Sequence, residues 1–221
     1  MCQLRRIITA CLFLLVVYPA DAGVFDVVKN VTRQERIAKA QEIYNSQLKF
    51  KDSVLAITAV EQLISIARQI EDKALECFAI SMLADHYARI RNSNGLSTQL
   101  HLRAIQLAEK NGRPLISGIC NYRMGRYYYS FKNYPFAFEY LLRADNFFRG
   151  TGYKDVPDID EILYFLGSIY YETGNFEKAE SIFNNIQQLK KIDNYIQKQL
   201  LNTLALIKKQ QGDTTGALRY F

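Results

Sequence analysis

Apolar residues along most of this chain return every three or four positions, as in Phe78, Met82, Leu83, Tyr87 and Ile90 and again in Leu163, Leu166, Ile169 and Tyr170. That spacing gathers them on one stripe of an α-helix, and no segment shows the apolar–polar alternation of a half-buried strand. The stripes break at Arg91 to Gly95, Asn111 to Pro114, Lys132-Asn133, Gly150 to Pro157, Gly174-Asn175 and Gly212-Asp213, most of which carry the Gly, Asn or Pro that ends helices. Helix starts are legible too. Thr32-Arg33-Gln34-Glu35 reads as a capping box, in which Thr32 accepts from the third amide while Glu35 reaches back, and Asp158 with Glu161 offers the acidic version. The predicted class is all-α.

The helices repeat as a unit. Leu166-Gly167, Tyr170, Gly174-Asn175-Phe176, Ala179 and Phe183 form a frame that returns as Met124-Gly125, Tyr128, Asn133-Tyr134, Ala137, Leu141 and Ala144. It returns less completely as Leu204-Ala205, Gly212-Asp213, Ala217 and Phe221, and earlier as Leu83-Ala84, Tyr87 and Arg103-Ala104-Ile105. This frame resembles the tetratricopeptide repeat, and the resemblance implies an α-solenoid of antiparallel helix pairs stacked into a superhelix. The small residues Ala84, Gly125, Gly167 and Ala205 stand 41, 42 and 38 apart, longer than the usual repeat of about 34. A lengthened second helix or linker is therefore expected in each pair. The departures are the large aromatic early in the first helix, replaced by Ile80, Asn121, Leu163 and Leu201, and the closing Pro, present only as Pro114.

The expected organisation is a short segment over 23–31, then an array over 32–221 with pairs at about 32–71, 73–111, 115–149, 158–191 and an incomplete 195–221. The first pair is degenerate: Ile64 to Ala67 matches Ile105 to Ala108, but its first helix lacks the Leu-Gly element. An array ending partway through a pair leaves an apolar face that favours self-association, and it reads as part of a longer parent.

At the other end, Arg5-Arg6 precedes an apolar stretch from Ile7 to Tyr18, followed by Pro19 and the small-x-small pattern Ala20-Asp21-Ala22. This is the plan of a secretory signal peptide over 1–22, and its stretch falls short of the roughly 20 residues a spanning helix needs. Ile8-Thr9-Ala10-Cys11 looks like a lipid-attachment sequence, yet its Cys precedes most of the apolar stretch, so lipidation is rejected. The remaining chain carries no membrane-length apolar run; Asp160, Glu161, Gly167 and Ser168 interrupt the best candidate. A periplasmic or secreted location follows, with a membrane anchor confined to any longer parent. In an oxidising compartment Cys77 and Cys120 could pair, although both lie among apolar neighbours where Cys acts as a small hydrophobe.

Composition narrows function. With 49% hydrophobic and 23% charged residues the chain is globular, and 4 Pro and 11 Gly fit long helices. The net charge of +6 comes without a polybasic run, so nucleic acid is not implied. No Gly-rich phosphate loop or paired-Cys metal spacing occurs, and His86 and His101 stand without a ligand pattern, so no enzyme, metal or cofactor is expected. The acids Asp158, Asp160 and Glu161 are read as helix-start residues, and Asn30-Val31-Thr32 matches a glycosylation acceptor.

In proteins that this array resembles, the first helices line a concave groove. The resemblance places Asp85 and Arg89 there, then Tyr122, Arg123, Arg126 and Tyr129, then Tyr164, Ser168 and Tyr171, with Ser81 and Phe165 beside them. Tyr and Arg are enriched at protein interfaces, so the expected partner is a protein or peptide. The Lys and Asn of a chaperone-type carboxylate clamp are replaced by Asp85, Glu161 and Phe165, which argues against that specialisation. Export signal, long repeats and abrupt end together resemble the exported N-terminal regions of Bacteroidetes-type bacterial regulators, whose array serves as a sensor. A periplasmic assembly scaffold and a glycan-binding outer-membrane protein are the alternatives; the missing Trp and lipid-attachment Cys weigh against the latter. If the export reading is right, mass spectrometry of the protein recovered from its host finds Gly23 as the first residue; a retained 1–22 segment overturns it.

Overall fold

The computed structural model describes residues 23–49, 51, 53–90, 93–153 and 156–220. The export signal expected over 1–22 lies outside the described residues. After a 3-10 turn over Asp26–Asn30 come α1 (Arg36–Ile43), a π-helical turn (Tyr44–Leu48), α2 (Ser53–Gln69), α3 (Lys73–Tyr87), α4 (Asn94–Lys110), α5 (Pro114–Ser130), α6 (Tyr134–Gly150), α7 (Ile159–Glu172), α8 (Phe176–Gln187), α9 (Asn194–Gln210) and α10 (Thr214–Leu218). No strand occurs among the described residues. α3 packs with α4, α5 with α6, α7 with α8 and α9 with α10, while α1, α3, α5, α7 and α9 stack on one another in turn. The chain is an α-solenoid of antiparallel helix pairs.

Single residues switch the chain from one helix to the next. Asp72, Asn133, Asn175 and Asp213 each donate their amide to the carbonyl five residues back, Ala67, Tyr128, Tyr170 and Lys208, at 2.8–3.0 Å. This closes the preceding helix in the left-handed-cap pattern, whose positive φ falls on Glu71, Lys132, Gly174 and Gly212. The same Asp72, Asn175 and Asp213 then cap the following helix, their side chains accepting from the amides of Leu75, Lys178 and Gly216. A Gly-Asn or Gly-Asp dipeptide therefore suffices as a turn.

Small residues set how closely the two helices of a pair approach. A Cβ at Gly167 would stand 2.4 Å from the Phe183 ring, one at Gly118 2.4 Å from Phe148, and one at Gly125 2.7 Å from Leu141. Phe148, Phe183 and Leu141 are all buried. Two such glycines on α5 accompany the most extensive helix–helix interface of the chain, α5 on α6. One apolar core runs from Phe25 to Ile169, and a second joins Ala179, Phe183 and Ile186 to Leu200, Leu204 and Ile207. Such nearest-neighbour cores are what a stacked array produces.

Two expectations about helix ends are corrected. α4 begins at Asn94, so Gly95 lies inside its first turn, and Ile90 falls beyond α3. The helix starts there because Ser97 is held from both sides: its amide bonds the Ser93 carbonyl at 2.9 Å and its hydroxyl the Ala84 carbonyl at 2.9 Å. At α1 only half of the capping box forms. The Glu35 carboxylate accepts from the Thr32 amide, but the Thr32 hydroxyl donates to that same carboxylate instead of accepting from an amide, and α1 starts one turn later.

Gly167→Ala is expected to lower stability by about 1 to 2 kcal/mol, overpacking against Phe183 outweighing the helix-propensity gain of alanine. Gly95→Ala, with nothing within 4 Å of its Cβ, is expected to be neutral or stabilising by up to about 1 kcal/mol. Urea denaturation of both variants checks the pair; equal effects would show that Gly167 is not a close-approach position.

Candidate functional site

The face along which the first helices stack is built around one buried carboxylate. Asp85 on α3 is 6% exposed, and its Oδ2 accepts from Arg123 Nη1 and, at 2.8 Å, from Arg126 Nη2, both on α5. Arg123 continues to Gln41 Oε1 on α1 at 2.8 Å, and Arg126 to Glu161 Oε1 on α7 at 2.9 Å. The guanidinium of Arg123 lies over the Phe78 ring at 5.2 Å and that of Arg126 over Tyr122 at 5.7 Å, contacts that suit a weakly hydrated planar cation. Burial pushes the Asp85 carboxyl up, but the Arg126 and Arg123 guanidinium groups outweigh it and hold it below the usual carboxylate range.

Two histidines back this network. His86 and His101 are 2% and 0% exposed, and burial holds each ring's pKa down at about 4. His101 Nε2 stands 3.7 Å from Asp85, too far for a hydrogen bond, so the pair is a neutral ring beside a carboxylate.

The N-terminal helix supplies a wall. In the π-helical turn the Lys49 amide reaches back to the Tyr44 carbonyl at 2.9 Å, a widened turn of the kind found at functional sites. Tyr44 meets the His86 ring edge-on at 5.3 Å and accepts from Arg89 Nη2 at 2.9 Å, while Arg89 Nη1 donates to the Lys49 carbonyl at 3.2 Å. Asn45 Nδ2 lies 3.5 Å from the Asp158 carboxylate, which brings the π-helical turn to the start of α7.

Between these walls lie two adjoining cavities. One, of about 440 Å³, is lined by Gln41, Tyr44, Asn45, Asp85, Arg89, Tyr122, Arg123, Arg126, Asp158, Glu161 and Phe165, among others. The other, of about 640 Å³, is lined by Asn45, Lys49, Tyr129, Asp158, Asp160, Glu161, Tyr164, Phe165, Asp193, Tyr195 and Ile196. Phe165 joins them: its ring stands 6.3 Å from Tyr122, 5.3 Å from Tyr129 and 5.8 Å from Tyr164. Tyr122 is 5% exposed and its hydroxyl has no partner among the described residues.

Of the residues expected in the groove, Asp85, Arg89, Tyr122, Arg123 and Arg126 line the first cavity and Tyr129 and Tyr164 the second. Ser168 and Tyr171 line neither: Ser168 is 3% exposed, and Tyr171 rests on Phe176 at 5.6 Å. They sit farther along α7, where the helix turns toward α8.

The acids after Pro157 do stand at the start of α7, with Asp160 and Glu161 in its first turn, but the side-chain capping expected there is corrected. Asp158 stands at the α7 start with φ 52° and makes no side-chain cap. Asp160 accepts instead from the Asp193 amide at 2.7 Å and Glu161 from Arg126. The signal was present, since one helix start has use for one capping acid and here there are three. Gln41, Tyr44, Asn45 and Lys49 left no such trace, because their position depends on how far the superhelix turns. Cys77 and Cys120 are free thiols, with Cys120 Sγ 3.9 Å from the Cys77 carbonyl oxygen.

No family model matches the chain, and no curated protein matches it. Solved structures do. The chain is similar to BtubC (BKLC) from P. vanneervenii, at 16% identity over 91% of this chain and 85% of that one, with a TM-score of 0.63. It is similar to a signal transduction ATPase with numerous domains from Pyrococcus horikoshii that bears a tetratricopeptide repeat sensor, at 20% identity and a TM-score of 0.60, over 85% of this chain and 29% of that one. A third is a Podosopora anserina protein of nearly identical TPR-like repeats, at 15% identity and a TM-score of 0.54, over 90% and 92%. The fold is TPR-like. At these identities the likeness carries the fold alone.

Because the folded pKa values of His86 and His101 lie below the roughly 6.5 of an unfolded histidine, the unfolded chain binds more protons between about pH 6.5 and 4. Their contribution to stability is therefore complete above pH 6.5 and is lost as pH falls through that window. The Asp85 carboxylate, held low, adds a loss of the same sign at lower pH. Denaturation midpoints should drop on acidification from pH 7 to 4.5, and the His86→Gln, His101→Gln double variant should flatten that slope; an unaltered slope would mean the rings are not held neutral.

Proposed function

We propose that this inner face binds an extended peptide or a helix of a partner protein without chemical turnover, and that the chain is the exported input region of a bacterial regulator or signalling protein. One observation carries the binding reading: two adjoining cavities share Phe165 and Tyr195, and each is lined by further tyrosines, a surface composition favoured at protein interfaces. Binding without turnover is supported by the state of the candidate reactive groups. The imidazoles are buried and neutral, and burial raises both thiols, that of Cys77 to about 12, far from a reactive thiolate.

The input-region reading rests on the export pattern and the long repeats, and it is supported by the Pyrococcus horikoshii protein, in which tetratricopeptide repeats form a sensor. Within the groove Arg123 and Arg126 tie four helices together, so the contact surface offered to a partner is chiefly Tyr129, Tyr164, Phe165 and Tyr195.

Tyr195 lines both cavities and is 67% exposed, which makes it a suitable site for a photo-crosslinking phenylalanine analogue. Irradiation in the native host should give discrete adducts there and none with the analogue at Leu102 on α4. Adding Tyr129→Ala should reduce adduct formation, since loss of a hot spot of about 2 kcal/mol is roughly thirtyfold in affinity. Adducts at Leu102 alone, or adducts indifferent to Tyr129→Ala, would move the working surface elsewhere.

A further inference from the structure

The charges of the inner face divide into an engaged set and an unengaged one. Arg123 and Arg126 are the cations deepest in it, and they meet Asp85 and Glu161, so two guanidinium groups face two carboxylates. They have no charge left for a partner's carboxylate. On the side of the larger cavity the balance is acidic. Asp158, Asp160 and Asp193 line it together with Glu161, against Lys49. Asp160 accepts from the Asp193 amide and Asp193 caps α9 through the amides of Tyr195 and Ile196, bonds that leave both carboxylates their negative charge. Asp158 has only the long 3.5 Å contact with Asn45, and no cation pairs with it among the described residues.

Resting on the groove reading above, we infer that the groove selects a peptide segment bearing a lysine or arginine side chain, held at Asp158 beside the Phe165 and Tyr129 rings. The chemistry is that of cation recognition: a carboxylate supplies the counter-charge and ring faces take the rest of an ammonium or guanidinium group. An independent observation points to a ligand at the same place. Tyr122 is 5% exposed and lines the smaller cavity together with Asp158 and Phe165, and its hydroxyl is unpartnered. A buried donor without an acceptor is rare; the carbonyl of a bound main chain supplies the missing partner. Burial, with Glu161 next, also pushes the Asp158 carboxyl above its usual range, against the lowering influence of Asn45 and Arg123.

The sign of this preference is opposite to what the arginines suggest when only their number is considered. A carboxylate-bearing partner would meet the acids of the larger cavity, which no arginine lines among the described residues; Arg89, in the smaller cavity, is bonded to the Tyr44 hydroxyl and the Lys49 carbonyl.

The test uses fluorescein-labelled heptapeptide pools with the central residue fixed as Arg, Lys, Gln or Glu and the flanking positions randomised over Ala, Leu, Ser and Tyr, read by fluorescence anisotropy against the purified protein. The Arg and Lys pools should bind at least about tenfold more tightly than the Gln and Glu pools, as expected for a partly desolvated ion pair. Asp158→Asn, which loses no cap and keeps the side-chain shape, should erase that difference by weakening the Arg and Lys pools. Tyr122→Phe should weaken all pools alike, by roughly threefold to tenfold for one hydrogen bond. Measurable binding of all four pools with no preference for the basic ones, or a preference that survives Asp158→Asn, overturns the inference and leaves the groove reading standing. No binding by any pool, in a protein whose helicity and melting are intact, overturns both.

Discussion

A carboxylate buried in an array of helices requires counter-charge wherever it sits, and the inner face of this protein is organised by that requirement. Asp85 draws two guanidinium groups from α5, and each of these has donors left over that need acceptors of their own. Arg123 finds Gln41 on α1 and Arg126 finds Glu161 on α7. One charge thereby fixes four helices from different pairs in a single hydrogen-bonded chain. Replacing such a network by apolar residues can be neutral, whereas removing one member leaves a buried charge without its partner, at a cost of about 3 to 5 kcal/mol. Its natural role is registry. Nearest-neighbour packing alone leaves the twist between successive pairs soft, and the Gln41–Arg123–Asp85–Arg126–Glu161 chain sets it across the pairs that enclose the cavities.

The pair geometry has a second, independent determinant. The closures at Asp72, Asn133, Asn175 and Asp213 confine the turns before α3, α6, α8 and α10 to three residues, so at those turns the exit direction of one helix dictates the entry of the next. Lys132 holds the left-handed position that Gly174 and Gly212 hold elsewhere, which shows that the turn persists even where the residue is less suited to it. Gly118, Gly125 and Gly167 then bring the paired helices close enough for Phe148, Leu141 and Phe183 to fill the crossing.

These local devices are what the sequence makes legible. The Leu166-Gly167 to Phe183 frame announces a helix pair because every element of it acts within about twenty residues: a small residue, its facing aromatic and the turn between. The frame even carries through to the facing residues, since Leu141 and Phe183 occupy matching places. The groove is less legible because its parts come from distant pairs. Asn45 and Asp158 meet only as a result of the accumulated rotation of the intervening helices, and no local spacing encodes that rotation. Tyr122 and Arg123 could be assigned to the first-helix face from the repeat, but their burial could not, since Tyr122 meets Phe165 on α7 and Arg123 meets Gln41 on α1. The acids after Pro157 show a related limit. The acidic helix start placed these residues correctly at the beginning of α7, but it gave no sign of their partners in the π-helical turn, on α5 and at the start of α9.

The same charge accounting separates architecture from recognition. An arginine on a groove wall invites the reading that it awaits an anion, yet a guanidinium already bridging two carboxylates offers little beyond its edge to a ligand, and displacing either partner strands a charge. Recognition then falls to groups whose bonding is incomplete in the folded chain. On this inner face those include the Tyr122 hydroxyl, a donor without an acceptor, and the Asp158 carboxylate, an anion without an ion-pair partner among the described residues. Both stand beside Phe165, so the apolar contact, the hydrogen bond and the charge needed to select a segment of chain converge on one ring. Since Asp158 stands at the N-cap position of α7 and Tyr122 lies on α5, the Arg126–Glu161 bridge between those helices bears on their separation. The structural network thus bears on the spacing at which the groove reads its ligand.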